Sequence, residues 1–561
     1  MLLSTRITVS LGALLLAACA PATQPPGAGG GASPAPQAAP ATAPATGTPQ
    51  RGGTLVASLS GAPENLHPYT QAKTGVLRCC GPVYETLVTF KYERPPDRRW
   101  DIDFEISPAL AERWEQPDST SYIFHVRRGV KWHDGKELTA DDVAFSLDYL
   151  RDPKNTFTFR SNLADVATVE KMGDYTVKVT TKAPSPFFLE LIAPVAEVDI
   201  IPKHVVERGD DLNKVAIGTG PFTLKEFDRT KAGVFLRNDS YWQPGRPFVD
   251  QVQIVHGLDD AARLAGFIGN KFDLHSLPDK LQLDALLANK RDGVYARNIN
   301  ALGVSIFMKQ DGPPYSDLRV RRALHLALDR QELNQVTTLG EGTISPPGTP
   351  AIKAGWAIPQ EELLKLPGYR QPKDQDVAEA KRLLAEAGYP QGFKSTLHYG
   401  TNIFAARAAS EPIAAQYAKL GIAITILPQP QAEATRILRS GDYALALDSF
   451  ADMNVARYQW DRLHSTGSLN ATGVKDPQLD RILETQRTSP DSNERKRAVR
   501  AMQDLLLEKL YVLSTIDIPT YQLWQPWVKD YNYDQGGSAL VGQHNLAWVW
   551  FDAAKLPADR R

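Results

Sequence analysis

Apolar and polar positions alternate with period two in short runs along most of the chain. GTLVASLS (53–60), YIFHV (122–126), YTVKVTT (175–181), VDQVQIVH (249–256), VSIFMK (304–309), IAITIL (422–427) and YALALDS (443–449) each predict a β-strand. Between them the period lengthens to that of an amphipathic helix. In DLRVRRALHLALDRQEL (317–333), Val320, Ala323, Leu324, Ala327 and Leu328 form one stripe, predicting a single helix. DVAEAKRLLAEAGYPQGF (376–393) places Gly388 and Pro390 just past a helix end, and EPIAAQYAKLGI (411–422) stops at Gly421 and runs straight into a strand. NERKRAVRAMQDLLLEKL (493–510) starts at Asn493, read as the N-cap, with Val499, Met502, Leu506 and Leu510 on one face. The alternation predicts an α/β protein whose parallel βα units are best marked between residues 376 and 449.

The pattern fails at the N-terminus. MLLSTRITVSLGALLLAACA carries Arg6, then an apolar stretch from Ile7 to Ala18 and small residues before Cys19, which predicts a secretory signal over 1–19, too short to span a bilayer stably. LAAC (Leu16–Cys19) resembles a bacterial lipobox, in which Cys19 becomes the lipid-bearing N-terminus; two signals make such an anchor durable. Residues 20–50 are almost wholly Ala, Pro, Gly, Thr, Ser and Gln, without an aromatic or a charge, and are expected to be a disordered tether. The order of these segments places a folded body on an outer face of a membrane, in the periplasm or outside the cell.

Composition narrows the body's role. About 510 residues remain, enough for two to four domains. Sixty-three basic residues against sixty-four acidic ones leave a net charge of -1, which points away from nucleic acid and from a polybasic membrane surface. Three cysteines, two of them the adjacent Cys79-Cys80, lack the CxxC spacing of zinc or redox sites. A vicinal disulfide or two buried thiols are both open, with buried thiols the expectation.

The stretch richest in chemistry is GVKWHDGKELTADDVAFSL (129–147). Thr139 and Asp142 have capping-box spacing, Asp141 and Asp142 complement a helix N-terminus, Val143, Leu147 and Leu150 form the buried stripe behind them, and Asp134-Gly135 is a turn signal. Only His133 is left without a local structural role, and a secreted hydrolase using His133 with Asp134 or Asp141 is the rival from another class. No G-x-S-x-G, Walker loop, H-E-x-x-H, EF-hand or paired CxxC occurs. GTGPF (218–222) is read as a tight turn rather than a phosphate loop. No catalytic residue, metal or cofactor is expected.

ISPALAERWEQPDSTSYIFHVRRGVKWHDGKELTADDVAFSLDYL (106–150) closely resembles the signature region of the family 5 extracellular solute-binding proteins, receptors of bacterial ABC importers. VYETLVTF (83–90), IGTGPFTLKEF (217–227), LRNDSYW (236–242), DLRVRRALHLALDR (317–330), AKRLLAEAGYPQGF (380–393) and IAAQYAKLGI (413–422) follow in the family's order. The resemblance implies a periplasmic-binding-protein-like, two-lobe hinged α/β fold of class II, the large peptide-binding type with an additional domain. Lobe I would comprise 51–85, 199–300 and 522–561, the additional domain 86–198, and lobe II 301–521. It also implies a monomer without enzymatic activity that binds a peptide or other small solute and delivers it to a permease and its ATPase subunits.

For the site, the family places an acid after a second-lobe strand, facing the peptide's α-ammonium. In ALALDSFADMNVARYQW, Asp452 of Phe450-Ala451-Asp452 occupies that place, although Phe450 stands for the family's Trp and Met453-Asn454 for its Asp-Pro; Asp448 is the second candidate. Ser60, Gly61 and Pro63 after the first strand, Tyr399, Thr401 and Asn402 after another, and Trp460 are further pocket candidates, with Tyr521, Trp524 and Trp527 either lining a cleft or packing a hinge. The same scaffold serves metal chelates, opines and oligosaccharides: Arg407 or Arg457 would suit the first of these, Asn402 with Trp460 the last.

Overall fold

A computed structural model of the chain describes residues 47–59, 63–70, 80–90, 106–157, 159–194, 196–277, 279–290, 294–349, 355–401, 403–450, 455–467, 469–470, 472–531, 543–557 and 560. The signal, Cys19, most of the tether and Cys79 lie outside them. Among the described residues no helix is long and apolar enough to cross a membrane.

One long sheet organises the body. Its order is Ala423–Gln429, Lys394–Gly400, Leu445–Phe450, Val294–Met308, Val512–Trp524, Leu274–Leu277, Thr54–Ser58, Gln251–Val255, Ala232–Arg237 and Phe222–Asp228, with Thr343–Ile344 paired off this path to Val512–Trp524. Lys394–Gly400 is parallel to both Ala423–Gln429 and Leu445–Phe450, the βα units expected between 376 and 449. The two central strands, fifteen and thirteen residues long, are antiparallel. They carry the chain from one half of the sheet to the other.

Two separate apolar cores divide this sheet into lobes. One gathers Leu55, Ala57, Val252 and Ile254 with Phe124, Val177 and Phe188 of the segment that inserts before residue 200. The other gathers Val304, Ile306, Leu324, Leu397, Ile413 and Leu447, flanked by a satellite around Leu479, Val499 and Met502. No cluster among the described residues mixes the two sets. The inserted segment has its own four-stranded antiparallel sheet, Ala111–Asp118, Ser121–Val126, Thr176–Thr181 and Val166–Gly173 in that order. Its helix Ala140–Arg151 starts as expected: Asp142 Oδ2 accepts the Thr139 amide at 3.0 Å, and Val143, Leu147 and Leu150 are buried.

Several local expectations need correction. The stripe at 317–333 is two helices, Leu318–Ala327 and Arg330–Thr338, because the Asp329 carboxylate caps the second by accepting from Gln331 and Glu332 amides. The cap of the helix Ser492–Lys509 is Asp491, which accepts from the Asn493 amide, rather than Asn493 itself. Cys80 is fully buried and disulfide-bonded, where two buried thiols were expected. GTGPF is more than a turn. Gly220 N donates to Val83 O at 2.8 Å and Phe222 N to Pro82 O at 3.2 Å, so this loop clasps the chain where it leaves the first lobe for the inserted segment.

His133 belongs to that clasp. Its Nε2 donates to Gly220 O at 3.0 Å and its Nδ1 accepts from the Gly218 amide at 3.4 Å. Burial holds the imidazole neutral, with its pKa down to about 4. Asp134 pairs with His204 at 2.7 Å and Asp141 with Lys171 at 2.6 Å, so the hydrolase rival's residues are each engaged in separate structural contacts.

Beside the clasp, the carboxylate of Glu85 is fully buried, accepting from Thr219 Oγ1 at 2.9 Å, the Tyr241 hydroxyl at 2.8 Å and Trp242 Nε1 at 3.0 Å. Burial raises its pKa from 4.5 to about 7 in spite of those donors. A carboxyl with a raised folded pKa makes the folded state bind the extra proton, so its contribution to stability falls as pH rises from 4.5 to about 7. Glu85→Gln should therefore melt higher than the wild type at pH 8, with the difference shrinking to nothing near pH 4.5. Melting temperatures of both proteins across that range check this; a difference independent of pH would contradict it.

Candidate functional site

In open α/β sheets ligands sit beyond the C-terminal ends of parallel strands, and the candidates after Thr54–Ser58, Lys394–Gly400 and Leu445–Phe450 all follow such ends. Ser60, Gly61, Asn402, Ala451 and Asp452 lie outside the described residues. Phe450 is the last residue of its strand and pairs in register with Gly303 on the first crossover strand. Gly303 pairs in turn with Asp517 on the second, between two register shifts. Phe450, Gly303 and Asp517 thus form one row across the sheet where its halves meet.

Gly303 leaves room there for the Asp517 carboxylate. A Cβ on it would stand 2.4 Å from Asp517 Oδ1, so the carboxylate leans across the first crossover strand toward the strand that leads to Asp452. Asp517 is fully buried, and the Ser345 hydroxyl donates to its Oδ1. Sequence reasoning missed this acid. The signal was a lone carboxylate within VLSTIDIPTYQLW, a strand otherwise apolar or neutral and buried along most of its length.

The remaining candidates separate into engaged and uncommitted groups. Asp448 is buried and its Oδ2 accepts from Arg462 Nη2 at 2.5 Å, so this carboxylate already has an internal counter-charge. Tyr399 packs in the second-lobe core. Trp460 stacks on His464 with ring centroids 3.5 Å apart, while the Arg487 guanidinium lies 4.2 Å from its centroid. Both cannot occupy one face at those distances. Each face of the indole is therefore covered, and Trp460 offers no platform for a sugar ring. Trp527 donates to Asp273 Oδ1 at 2.8 Å, Trp524 meets Tyr531 edge-on at 5.7 Å, and Tyr521 is buried beside Leu277 and Leu523, so these aromatics pack within the first lobe. Pro63 is buried, Thr401 is exposed, and Arg407 rests 5.4 Å from the Phe404 ring centroid. Arg457 is held by Ser161 and Asn162. Among the described residues no group of His, Cys, Asp and Glu is arranged to hold a metal.

Residues 105–467 match the family described as bacterial extracellular solute-binding proteins, family 5, middle region. The glutathione-binding protein GsiB of Salmonella choleraesuis is 29% identical over 323 residues, 57% of this chain and 61% of that protein. The chain thus spans about three fifths of the length of that relative. The dipeptide-binding protein of Escherichia coli is 28% identical over 427 residues, 70% of this chain and 74% of the relative. Among solved structures, the PBP AgaA of A. tumefaciens R10, in complex with agropinic acid, superposes with a TM-score of 0.70 at 25% identity, covering 89% of this chain and 99% of that one.

Proposed function

The chain belongs to the family 5 bacterial extracellular solute-binding proteins, and on that premise we propose that it captures a peptide-like solute between its lobes and delivers it to an ABC permease. The observation that carries this reading is the pair of independent cores bridged by two crossover strands, with a register break at Gly303. Such a construction flexes at the bridge and leaves each lobe intact, which is hinge closure about a bound ligand. Ligand contacts made from both lobes exist only when they close, so binding favours the closed state and presents the surface that the permease reads.

The ligand's ammonium group is assigned to Asp452, the acid just past the row formed by Phe450, Gly303 and Asp517. A carboxylate facing an ammonium in a water-poor cleft is a charge-assisted contact that fixes orientation, while waters adapt to different side chains and leave sequence selectivity low. The chain is placed on the outer face of the cell membrane, with Cys19 as the lipid attachment site and the permease with its ATPase subunits as partners. A second reading, a non-peptide solute, is favoured by the similarity to AgaA with its agropinic acid.

Titration calorimetry separates the two. A mixed set of di- to pentapeptides should bind, and their N-acetylated forms should not. Silence toward every peptide, with heat evolved on adding an opine, would transfer the assignment to the second reading.

A further inference from the structure

We infer that Arg457 and Arg487 are positioning residues: they latch the helix that follows Asp452 onto the inserted segment of the first lobe and so hold the cleft closed. The inference rests on the hinged-receptor reading and adds the inserted segment as an active part of closure.

The helix Val455–Leu463 begins three residues after Asp452. On its own side it is fixed by Gln459, whose Nε2 donates to Gly348 O at 2.7 Å and to Thr349 Oγ1 at 2.9 Å, and whose Oε1 accepts from Gln486 at 2.7 Å. On the other side Arg457 crosses to the first lobe. Its Nη2 donates to Ser161 Oγ at 2.7 Å and its Nη1 to Asn162 Oδ1, residues almost three hundred positions earlier in the chain. Asn162 is itself buried and tied to its own lobe through Leu191 O at 3.1 Å and Glu197 Oε2 at 3.0 Å.

A second crossing lies alongside. Arg487 Nη1 reaches both Asp165 oxygens, at 3.1 and 3.2 Å, while its guanidinium covers Trp460 on the helix Val455–Leu463. A third is looser: the Arg495 guanidinium lies 5.1 Å from the Phe187 ring centroid, and Phe187 meets Trp356 at 6.4 Å. Leu163, Val166 and Phe188, beside Asp165 and Phe187 in the chain, belong to the first core, and Trp356 and Trp460 pack against the second-lobe satellite.

The character of this seam decides its role. A fused apolar core would resist opening, whereas one ion pair and a few arginine hydrogen bonds to neutral groups, partly open to water, are worth little each and exchange readily for hydration. Seated between two rigid bodies, they can tip an opening equilibrium without holding either body together. Arg457 sits on the helix that follows Asp452 in the chain, and Arg487 covers Trp460 on that same helix, so the seam and the ligand's ammonium contact act on one element.

The test uses the full chain, trialanine as probe, and the variants Arg457→Ala, Arg487→Asp and the exchanged pair Asp165→Arg/Arg487→Asp. Small-angle scattering should give a larger radius of gyration for both single-site variants at an unchanged melting temperature. Trialanine should leave each of them about two- to fivefold faster, since apparent affinity scales with the closed population. The exchanged pair should recover the wild-type radius and rate. An unmoved radius of gyration in both single-site variants, or a lowered melting temperature without expansion, would overturn the latch. Failure of the wild type to bind trialanine, with expansion still seen in the variants, would instead count against the peptide reading and leave the latch standing.

Discussion

Gly218→Ala is expected to cripple folding of the first lobe, although the residue is not among the candidate ligand contacts. A Cβ at this position would lie 2.0 Å from the Val83 carbonyl oxygen and 2.7 Å from its carbon, and one at Gly220 would lie 2.5 Å from the same oxygen. Neither glycine is needed for a left-handed backbone; both are needed because another main chain passes where a side chain would be. A flexible side chain could move aside, but the obstacle here is a backbone that itself pairs with Gly220 N and Phe222 N. The same shift would dislodge the His133 ring from Gly218 and Gly220 and open the buried site of Glu85. Overpacking together with lost buried hydrogen bonds should cost ~3 kcal/mol or more. Gly312→Ala, where a Cβ meets nothing within 4 Å, is the matched control and should melt like the wild type. Calorimetric or circular-dichroism melts compare the three proteins; equal stability of Gly218→Ala and wild type would refute the clasp.

That clasp explains what was and was not legible in the amino-acid sequence. GVKWHDGKELTADDVAFSL announced a turn and a capped helix correctly, because both are local devices with fixed spacing. The partner of His133 was hidden, since Gly218 and Gly220 lie more than eighty residues away and their role is steric. Half-buried strands such as Ser121–Val126 were visible through their alternation. The crossover strand Val512–Trp524 was not, because it is buried along most of its length and carries Pro519, which reads as a strand breaker. The fifteen-residue strand Val294–Met308 showed only its last part, VSIFMK, its earlier residues mixing Arg and Asn with apolar positions. The break between Ala327 and Arg330 was masked because Leu328 continues the apolar stripe. At the candidate site, resemblance to the family supplied Asp452. The neighbouring Asp517 needed the sheet register, and the internal neutralisation of Asp448 by Arg462 needed coordinates.

Asp452→Ala is expected to have the largest effect on binding. With Asp448 already paired to Arg462 and Asp517 bound by Ser345, neither is placed to take over as the ammonium's partner without breaking an existing contact. Removing one member of a desolvated, hydrogen-bonded charge pair costs ~2–5 kcal/mol, so affinity for a free tripeptide should fall roughly thirtyfold to a few thousandfold. The loss should be specific to the ammonium. Acetylating the peptide's N-terminus removes the other member of the same pair, so acetylation should weaken binding to the wild type strongly and to Asp452→Ala hardly at all. Calorimetry of both proteins with both peptides measures this coupling. Additive losses would mean that Asp452 and the ammonium do not meet, and would leave the acid as a helix cap.

The central claim is that the interlobe cleft holds a peptide-like solute through Asp452. Its most direct test is mass spectrometry of the small molecules released by denaturing the purified full chain and the Asp452→Ala variant. The expected result is one or more short peptides with free amino termini, near stoichiometric with the wild type and strongly depleted from the variant. A sugar, an opine or a metal chelate in the wild type, or the same peptides at the same level in both proteins, would contradict it.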